Sequence, residues 1–483
     1  MADSDQLTNR PNWTSTGCWI IGLTFTYLFL TGDTPEELGR HAAIGVGSTM
    51  IVGIGIEGMK NWRSLLRPDA LAFLALYFLT FFEFLSRQPE VNQMTSNTAI
   101  HQACLLALLA FGSMAIARHL APAPPGFLTS IVRQPIPARM LFFVFALCFF
   151  FGIFYMLLAV NFNVIEMIDQ MMGPRFTQSW GRGRYGDWKA LLNQVGDVIT
   201  LVPPLGGLIL ARRERYNPFA ILVVLLGVIF CLFQAVAGGT RNVLATYLIT
   251  FLVGYGLNIS RKRRLEFGII CCAAAGGFFA ASPVMLSTRT IGLKEYLTTM
   301  LTTNQRAPSI VLPNDDTSFF VDLDLVNIAQ LTTVFPSLHG FLGLEVPYLA
   351  TVAPVPRAIW PDKPSGLSLS MEDALGVGEE MTVSATFIGE AYMAGGAFGV
   401  ILAGCFFGML TGWWGRLAGF VTSEFGFLIY ASGFLAIAIS MRSLYVLTTT
   451  ALPTIGAVCL TLIFSLIARN PELELGLALP TKK

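Results

Sequence analysis

Residues 212–264 read RRERYNPFAILVVLLGVIFCLFQAVAGGTRNVLATYLITFLVGYGLNISRKRR. Two apolar runs, 217–237 and 241–259, are joined by GGTR and closed at their far ends by clusters of arginine and lysine. Each run has about the 20 residues a helix needs to cross the hydrocarbon core of a bilayer. Basic loops are retained on the cytoplasmic side, so the order predicts a helical hairpin with both basic ends inside and its GGTR turn outside.

The rest of the chain repeats this pattern. Of its 483 residues, 54% are hydrophobic and 13% charged, against about 25% charged in a soluble domain. That composition excludes a soluble enzyme. Apolar runs bounded by charge or by Pro and Gly predict helices at 13–31, 41–58, 69–86, 97–117, 139–160, 190–211, 217–237, 241–259, 267–284, 394–413, 424–441 and 446–468. The expectation is an all-α polytopic membrane protein with about 12 transmembrane helices, the sixth kinked at PPLGG, 203–207. The basic groups Lys60/Arg63/Arg67, Arg118/Arg133/Arg139, Arg212/Arg213/Arg215 and Arg261/Lys262/Arg263/Arg264 fall on alternate loops, which makes that side cytoplasmic and puts both termini there. The polar, acidic start MADSDQLTNR is unlike a cleaved signal peptide, so the first helix is expected to be retained. Lys and Arg total 31 against 30 Asp and Glu, a balance that gives no reason to expect a nucleic-acid partner. The eight cysteines lie inside apolar runs without a CxxC pair, and read as small hydrophobes.

Two long outer segments follow, 161–189 and 285–393, the second between spans 9 and 10. Its stretches SFFVDLDLVNIAQL (318–331) and GFLGLEVPYLATV (340–352) predict short helices lying over the outer leaflet, because connections this long usually carry function.

Ionisable groups in membrane segments are costly and mark candidate sites. Under this topology Glu83, His101, Asp197, Arg241, Glu390 and Arg442 share a depth near the outer face, while the helix midpoints are almost free of charge. Arg241 in GGTRN (238–242) emerges at a helix start on the outer side; a guanidinium there suits a phosphate, by bidentate bonds and the free N–H groups of the helix. The alternative is a surface arginine in a short turn. VPRAIWPDKP (355–364) presents Arg357, Trp360, Asp362 and Lys363 between prolines, which suits a sugar phosphate or, alternatively, an interfacial anchor. FIGEAYMAGGAFGVILAG (387–404) carries Glu390 and Tyr392 ahead of small residues that permit close packing. Glu390 reads either as a general base or as the partner of a nearby arginine.

GTRN, PRAIWPDKP, GEAYMAGGAFGV and the arginine of SMRSLYVL, in a twelve-helix chain with a long late outer loop, resemble the Wzy-type oligosaccharide repeat-unit polymerases of bacterial O-antigen and exopolysaccharide synthesis. The likeness covers about 190–450, and PR-x-IWP-x-KP is its most specific part. It implies a GT-C-like glycosyltransferase of the bacterial inner membrane, acting on the periplasmic side. Donor and acceptor would be undecaprenyl-diphosphate-linked oligosaccharides, with no cofactor, and a chain-length regulator and a flippase would be its partners. Arg241, Arg357 and Glu390 take catalytic positions; Arg442, Lys363, Trp360, Tyr392, Asp197 and His339 take diphosphate- or sugar-binding ones. One departure is the spacing after Arg241: some members have ten residues before the next Gly, whereas Gly254 follows here after twelve.

Asp322 and Asp324 form a D-x-D, the metal-holding tripeptide of nucleotide-sugar enzymes, but it lies outside, where nucleotide sugars are absent; no metal site is expected. His339 in PSLHGF reads as a base or a hydrogen-bonding loop residue. An O-antigen ligase, with the same donor and another acceptor, and a flippase or transporter are the competing functions. A transporter would be expected to show midplane charge or an internal repeat, and neither is visible.

Overall fold

The computed structural model describes residues 10–180, 196–303, 323–376 except 358 and 365, and 383–469. These residues form helices and, among them, no strand. Each of the twelve predicted apolar runs overlaps a helix, the third only as far as residue 80 and the sixth only over its second half, with 190–195 outside the described residues: α1 (Trp13–Leu28), α2 (Pro35–Lys60), α3 (Pro68–Thr80), α4 (Asn97–Ala117), α5 (Ala138–Ala159), α6 (Val202–Ala211), α7 (Pro218–Ala237), α8 (Arg241–Asn258), α9 (Arg264–Ile291), α10 (Thr386–Leu417), α11 (Glu424–Ser440) and α12 (Leu452–Arg469). Among the described residues, seven helices are long and apolar enough to cross a membrane: α2, α4, α5, α7, α9, α10 and the run Leu444–Leu466 that contains most of α12. The chain is an all-helical protein with the helices of a polytopic membrane protein. α3, α6 and α11 are apolar but shorter.

The helix starts are written in the sequence. Thr34, Ser96, Asn217 and Ser423 each accept a backbone N–H of the first turn that follows, meeting a donor the helix itself cannot use. Pro35, Pro68 and Pro218 occupy first positions, where no N–H is missed.

Close packing comes from small residues, as expected where lipid gives helices no hydrophobic reason to associate. Gly404, Gly408 and Gly412 form one stripe of α10 against α4. A Cβ on Gly408 would meet the Met114 carbonyl at 2.5 Å, and one on Gly412 the Arg118 carbonyl at 2.3 Å. Gly207 of α6 and Gly254 of α8 approach each other's helices equally closely, at the Phe251 and Pro204 carbonyls.

The ninth and tenth helices differ from expectation. α9 runs past residue 284 to Ile291, and α10 begins at Thr386, so both trim the predicted 285–393 segment. α10 is also broken: Gly395 and Gly396 leave helical geometry, Gly396 at φ 62°, a region open chiefly to glycine. The break frees the carbonyls of Met393 and Ala394, which accept the N–H groups of Leu342 and Gly343 at 2.9 Å each. The helix Asp324–Val334 has Leu325, Val326, Ile328, Ala329 and Leu331 wholly buried against α4 and α10, so it packs among the helices of the bundle.

Two arginines that read as loop charge are also internal. Arg67 pairs with Asp69 at 2.9 Å, and Arg118 pairs with Asp69 at 2.8 Å and Glu57 at 3.3 Å, all buried. Solvated charge on that end comes from elsewhere. Arg215 meets Glu424 at 2.7 Å, Arg212 shares the same carboxylate, and Arg263 meets Glu266 at 2.7 Å.

Candidate functional site

At the opposite end from these ion pairs, the bundle holds a cavity of about 690 Å³. Four backbone irregularities surround it. The first is the GGTRN turn between α7 and α8. Gly239 has φ +60°, and a Cβ there would stand 3.2 Å from the Arg289 Cα and the Met285 carbonyl; the glycine lets the turn pack directly on α9. Gly238, Thr240 and Asn242 line the cavity, and Arg241, half-buried between the latter two, is the first residue of α8.

The second is the 3₁₀ turn Asp197–Leu201 that precedes α6. Gly152 sits on Ile199, and Gly196 sits on the ring of Tyr155, each leaving no room for a Cβ. This contact holds Asp197 and Tyr155 in one wall.

The third is the interruption after α11, SMRSLYV, where Arg442 and Ser443 precede the 3₁₀ turn Leu444–Val446. The fourth is the start of α10. Phe387 N–H donates to the Met441 carbonyl at 3.2 Å and Ser384 Oγ donates to the Arg442 carbonyl at 3.4 Å. Glu390, 5% exposed, is therefore aimed at the interruption. Its Oε1 accepts Ser443 Oγ–H at 2.6 Å and its Oε2 accepts the Leu444 N–H at 2.5 Å. Glu390 is bound by hydroxyl and backbone donors, and among the described residues it has no ion-pair partner, unlike the arginine pairing that sequence suggested as one reading.

The two outer segments converge here. Met171, Arg175, Gln178 and Trp180 come from the first, and Val383 and Ser384 from the end of the second. Lys294 pairs with Asp169 across them. Thus Asp197, Glu390 and Arg442, which sequence singled out, share one cavity with Arg175, Gln234, Tyr155 and Tyr247, which it did not.

The other sequence candidates lie elsewhere. Arg357 donates to the carbonyls of Lys363 at 2.9 Å and Pro364 at 3.3 Å, and Lys363 Nζ donates to those of Ala353 at 2.7 Å and Val355 at 3.0 Å. Together they tie PRAIWPDKP to its own backbone, with Trp360 half-buried, outside the cavity lining. Burial, and then the charge of Arg357, push the Lys363 ammonium below its ordinary pKa. Tyr392 OH donates to the Phe335 carbonyl at 3.1 Å, and its ring meets Phe341 edge-on. His339 is exposed, with its ring 6.2 Å from that of Phe335. Glu83 Oε2 accepts the Leu323 N–H at 3.2 Å in the interior. Asp324 is buried in the first turn of the inserted helix, and Asp322, like residues 181–189, lies outside the described residues. No group of three His, Cys, Asp or Glu side chains able to share a metal ion occurs among the described residues.

Residues 316–465 match a family model described as a domain of unknown function (DUF8712), a stretch that takes in Glu390 and Arg442 but not Arg241. No curated protein and no solved structure matches the chain.

Proposed function

We propose that this chain is a GT-C-like membrane glycosyltransferase of the Wzy type that crosses the bacterial inner membrane twelve times and polymerises undecaprenyl-diphosphate-linked oligosaccharide repeat units at the periplasmic leaflet. The observation that carries the reading is the cavity itself. Arg175 and Arg442 share it with the carboxylates of Asp197 and Glu390, and Arg241, outside the lining itself, is the sequence neighbour of two residues that line it. That charge distribution matches a reaction in which a diphosphate leaves and a hydroxyl attacks.

In this mechanism the donor is the growing chain on its lipid diphosphate, and the acceptor is a hydroxyl at the non-reducing end of a new lipid-linked repeat. The bond from the anomeric carbon to the diphosphate oxygen breaks as the acceptor oxygen forms its bond to that carbon. The acceptor proton passes to Glu390, and undecaprenyl diphosphate departs with the electron pair. Arg241, Arg442 and Arg175 neutralise the charge that develops on it, an electrostatic contribution that commonly dominates such steps. A carboxylate positioned by Ser443 and the Leu444 N–H is set to receive a proton.

The test is a membrane preparation, or the purified chain, supplied with lipid-linked repeat units. A ladder of products is expected. Transfer of a single glycan to another acceptor would make the chain a ligase, and movement of repeats between leaflets without new bonds would make it a flippase; either outcome overturns the polymerase reading.

A further inference from the structure

The first outer segment opens with the helix Val164–Met171, VIEMIDQM, capped by Asn163 Oδ1, which accepts the Glu166 N–H at 3.2 Å. At helical spacing Val164, Ile165, Met167, Ile168 and Met171 share one side, and Glu166, Asp169 and Gln170 the other. The apolar side is wider than the protein beneath it. Met167 and Met171 are buried, whereas Val164 and Ile168 are exposed and Ile165 is 81% exposed.

Both ends of this helix are fixed at the ends of apolar spans. α5 stops at Ala159 and the chain turns at once: Asn161 and Phe162 take positive φ, and the Phe162 N–H donates back to the Leu157 carbonyl at 2.7 Å. At the other end, Gly292 closes α9 so near to Met172 that a Cβ would stand 2.8 Å from the Met172 carbonyl. That carbonyl accepts the Lys294 N–H at 3.1 Å, and the Lys294 ammonium pairs with Asp169. The 22 residues of α5 rise about 33 Å, enough to cross a hydrocarbon core of about 30 Å. The helix Val164–Met171 therefore reaches from one span end to another, at the depth where the core gives way to headgroups.

What covers its free side follows from the surface that it continues. Phe143 and Phe150 are exposed on the outside of α5, the face that lipid meets on a membrane-spanning helix. The ring of Phe150 lies 5.6 Å from that of Phe154, and Phe154 lies 5.7 Å from Phe162. This aromatic row runs without a break from the span into the elbow, and on to Val164, Ile165 and Ile168. Apolar side chains at that depth are covered by acyl chains, while the acidic side of the helix reaches headgroups and water.

We propose that Val164–Met171 is an interfacial helix docked into the bilayer leaflet at the cavity's end of the bundle, with lipid acyl chains as the partner of Phe162, Val164, Ile165 and Ile168. Arg175 and Gln178, which line the cavity, follow directly on from it, so that wall of the cavity is anchored to the membrane surface. The assignment stands independently of the reaction proposed above. The experiment uses the full chain in nanodiscs of phosphatidylethanolamine and phosphatidylglycerol, with single nitroxide labels on Ile165→Cys, Ile168→Cys and Glu166→Cys in a cysteine-free background. The ratio of collisions with oxygen, which partitions into lipid, to collisions with a water-soluble nickel chelate is expected to be several-fold higher at 165 and 168 than at 166. Equal ratios at the three positions put the helix in water and overturn the assignment. So does exclusion of both reagents from 165, the mark of a protein partner or a second copy on that face. In the chain with its native cysteines, Ile165→p-benzoylphenylalanine gives an independent reading: photolysis should yield lipid adducts, and a protein crosslink in their place overturns the assignment as well.

Discussion

The carboxylate of Glu390 and the hydroxyl of Ser443 meet at 2.6 Å, joining the start of α10 to the interruption that follows α11. The second carboxylate oxygen takes the Leu444 N–H, so one side chain closes a gap in the backbone and presents an anion to the cavity. Glu390→Gln preserves an acceptor for the hydroxyl but cannot take a proton, and it should lower polymerisation by about a hundredfold or more at unchanged protein level. Product ladders quantified against the purified protein check this. A Glu390→Gln ladder matching wild type would assign the residue to capping alone.

Arg241 should prove indispensable for chain growth. Losing one charge-assisted contact of about 3 kcal/mol at the transition state slows turnover on the order of a hundredfold. Arg241→Ala should leave single lipid-linked repeats accumulating on the periplasmic side, and Arg241→Lys should restore little, because an ammonium lacks the planar fork. A normal ladder in a well-expressed Arg241→Ala strain would make the arginine a surface residue of the turn.

The orientation is open to single-cysteine labelling in a cysteine-free background. Lys262 and Leu344 are both exposed, on segments assigned to opposite sides. An impermeant thiol reagent applied to intact spheroplasts should mark a cysteine at 344 and spare one at 262. The reverse pattern would put the cavity on the cytoplasmic side and remove its access to periplasmic substrates.

His119, two residues beyond α4, should make the protein acid-sensitive. It stacks on Trp13, and its Nε2 lies 2.7 Å from Thr16 Oγ1, which itself accepts from Arg118 Nη2 at 2.7 Å. The ring is thus held beside a guanidinium. Burial, followed by the Arg118 and Arg67 charges, pushes the pKa of His119 from 6.5 down to about 4, with Asp69 opposing them and Arg416 adding to them. The unfolded chain then takes up a proton near pH 6.5 while the folded chain resists until about pH 4. Stability present above 6.5 is lost progressively across that window as pH falls. Melting temperatures of the detergent-purified protein should decline from pH 7 to pH 4.5, and His119→Gln should flatten the decline. Parallel curves for the two proteins would contradict the assignment.

The helices were legible because hydropathy over about 20 residues is a strong signal, and capping residues such as Ser96 and Asn217 fix where several begin. The ends of the large outer segment were less so. Apolar content hides whether a helix such as Asp324–Val334 lies on the bundle or inside it, since both placements bury the same residues. At the site, Asp197, Glu390 and Arg442 stood out as charge against an apolar background, and the cavity gathers all three. Gln234, which also lines the cavity, is marked in its apolar helix by polarity without charge, a weaker signal. Arg175 had no local mark, sitting in a mixed loop that only tertiary folding brings to the cavity. Arg67 and Arg118 illustrate the opposite error: basic residues between spans read as solvated topology signals, whereas buried carboxylates neutralise them.

The broken α10 has a mechanical consequence. Everything before Gly395 is fastened to other parts of the chain: Leu342 and Gly343 hold the carbonyls of Met393 and Ala394, and the Met441 carbonyl holds the Phe387 N–H. The trunk beyond Gly396 is locked to α4 by its glycine stripe. The half-turns bearing Glu390 are thus tied to the segment that precedes α10, to the interruption after α11 and to the trunk itself, where the rings of Phe387 and Phe407 lie 4.7 Å apart. A shift at any one of these three contacts bears on the position of Glu390.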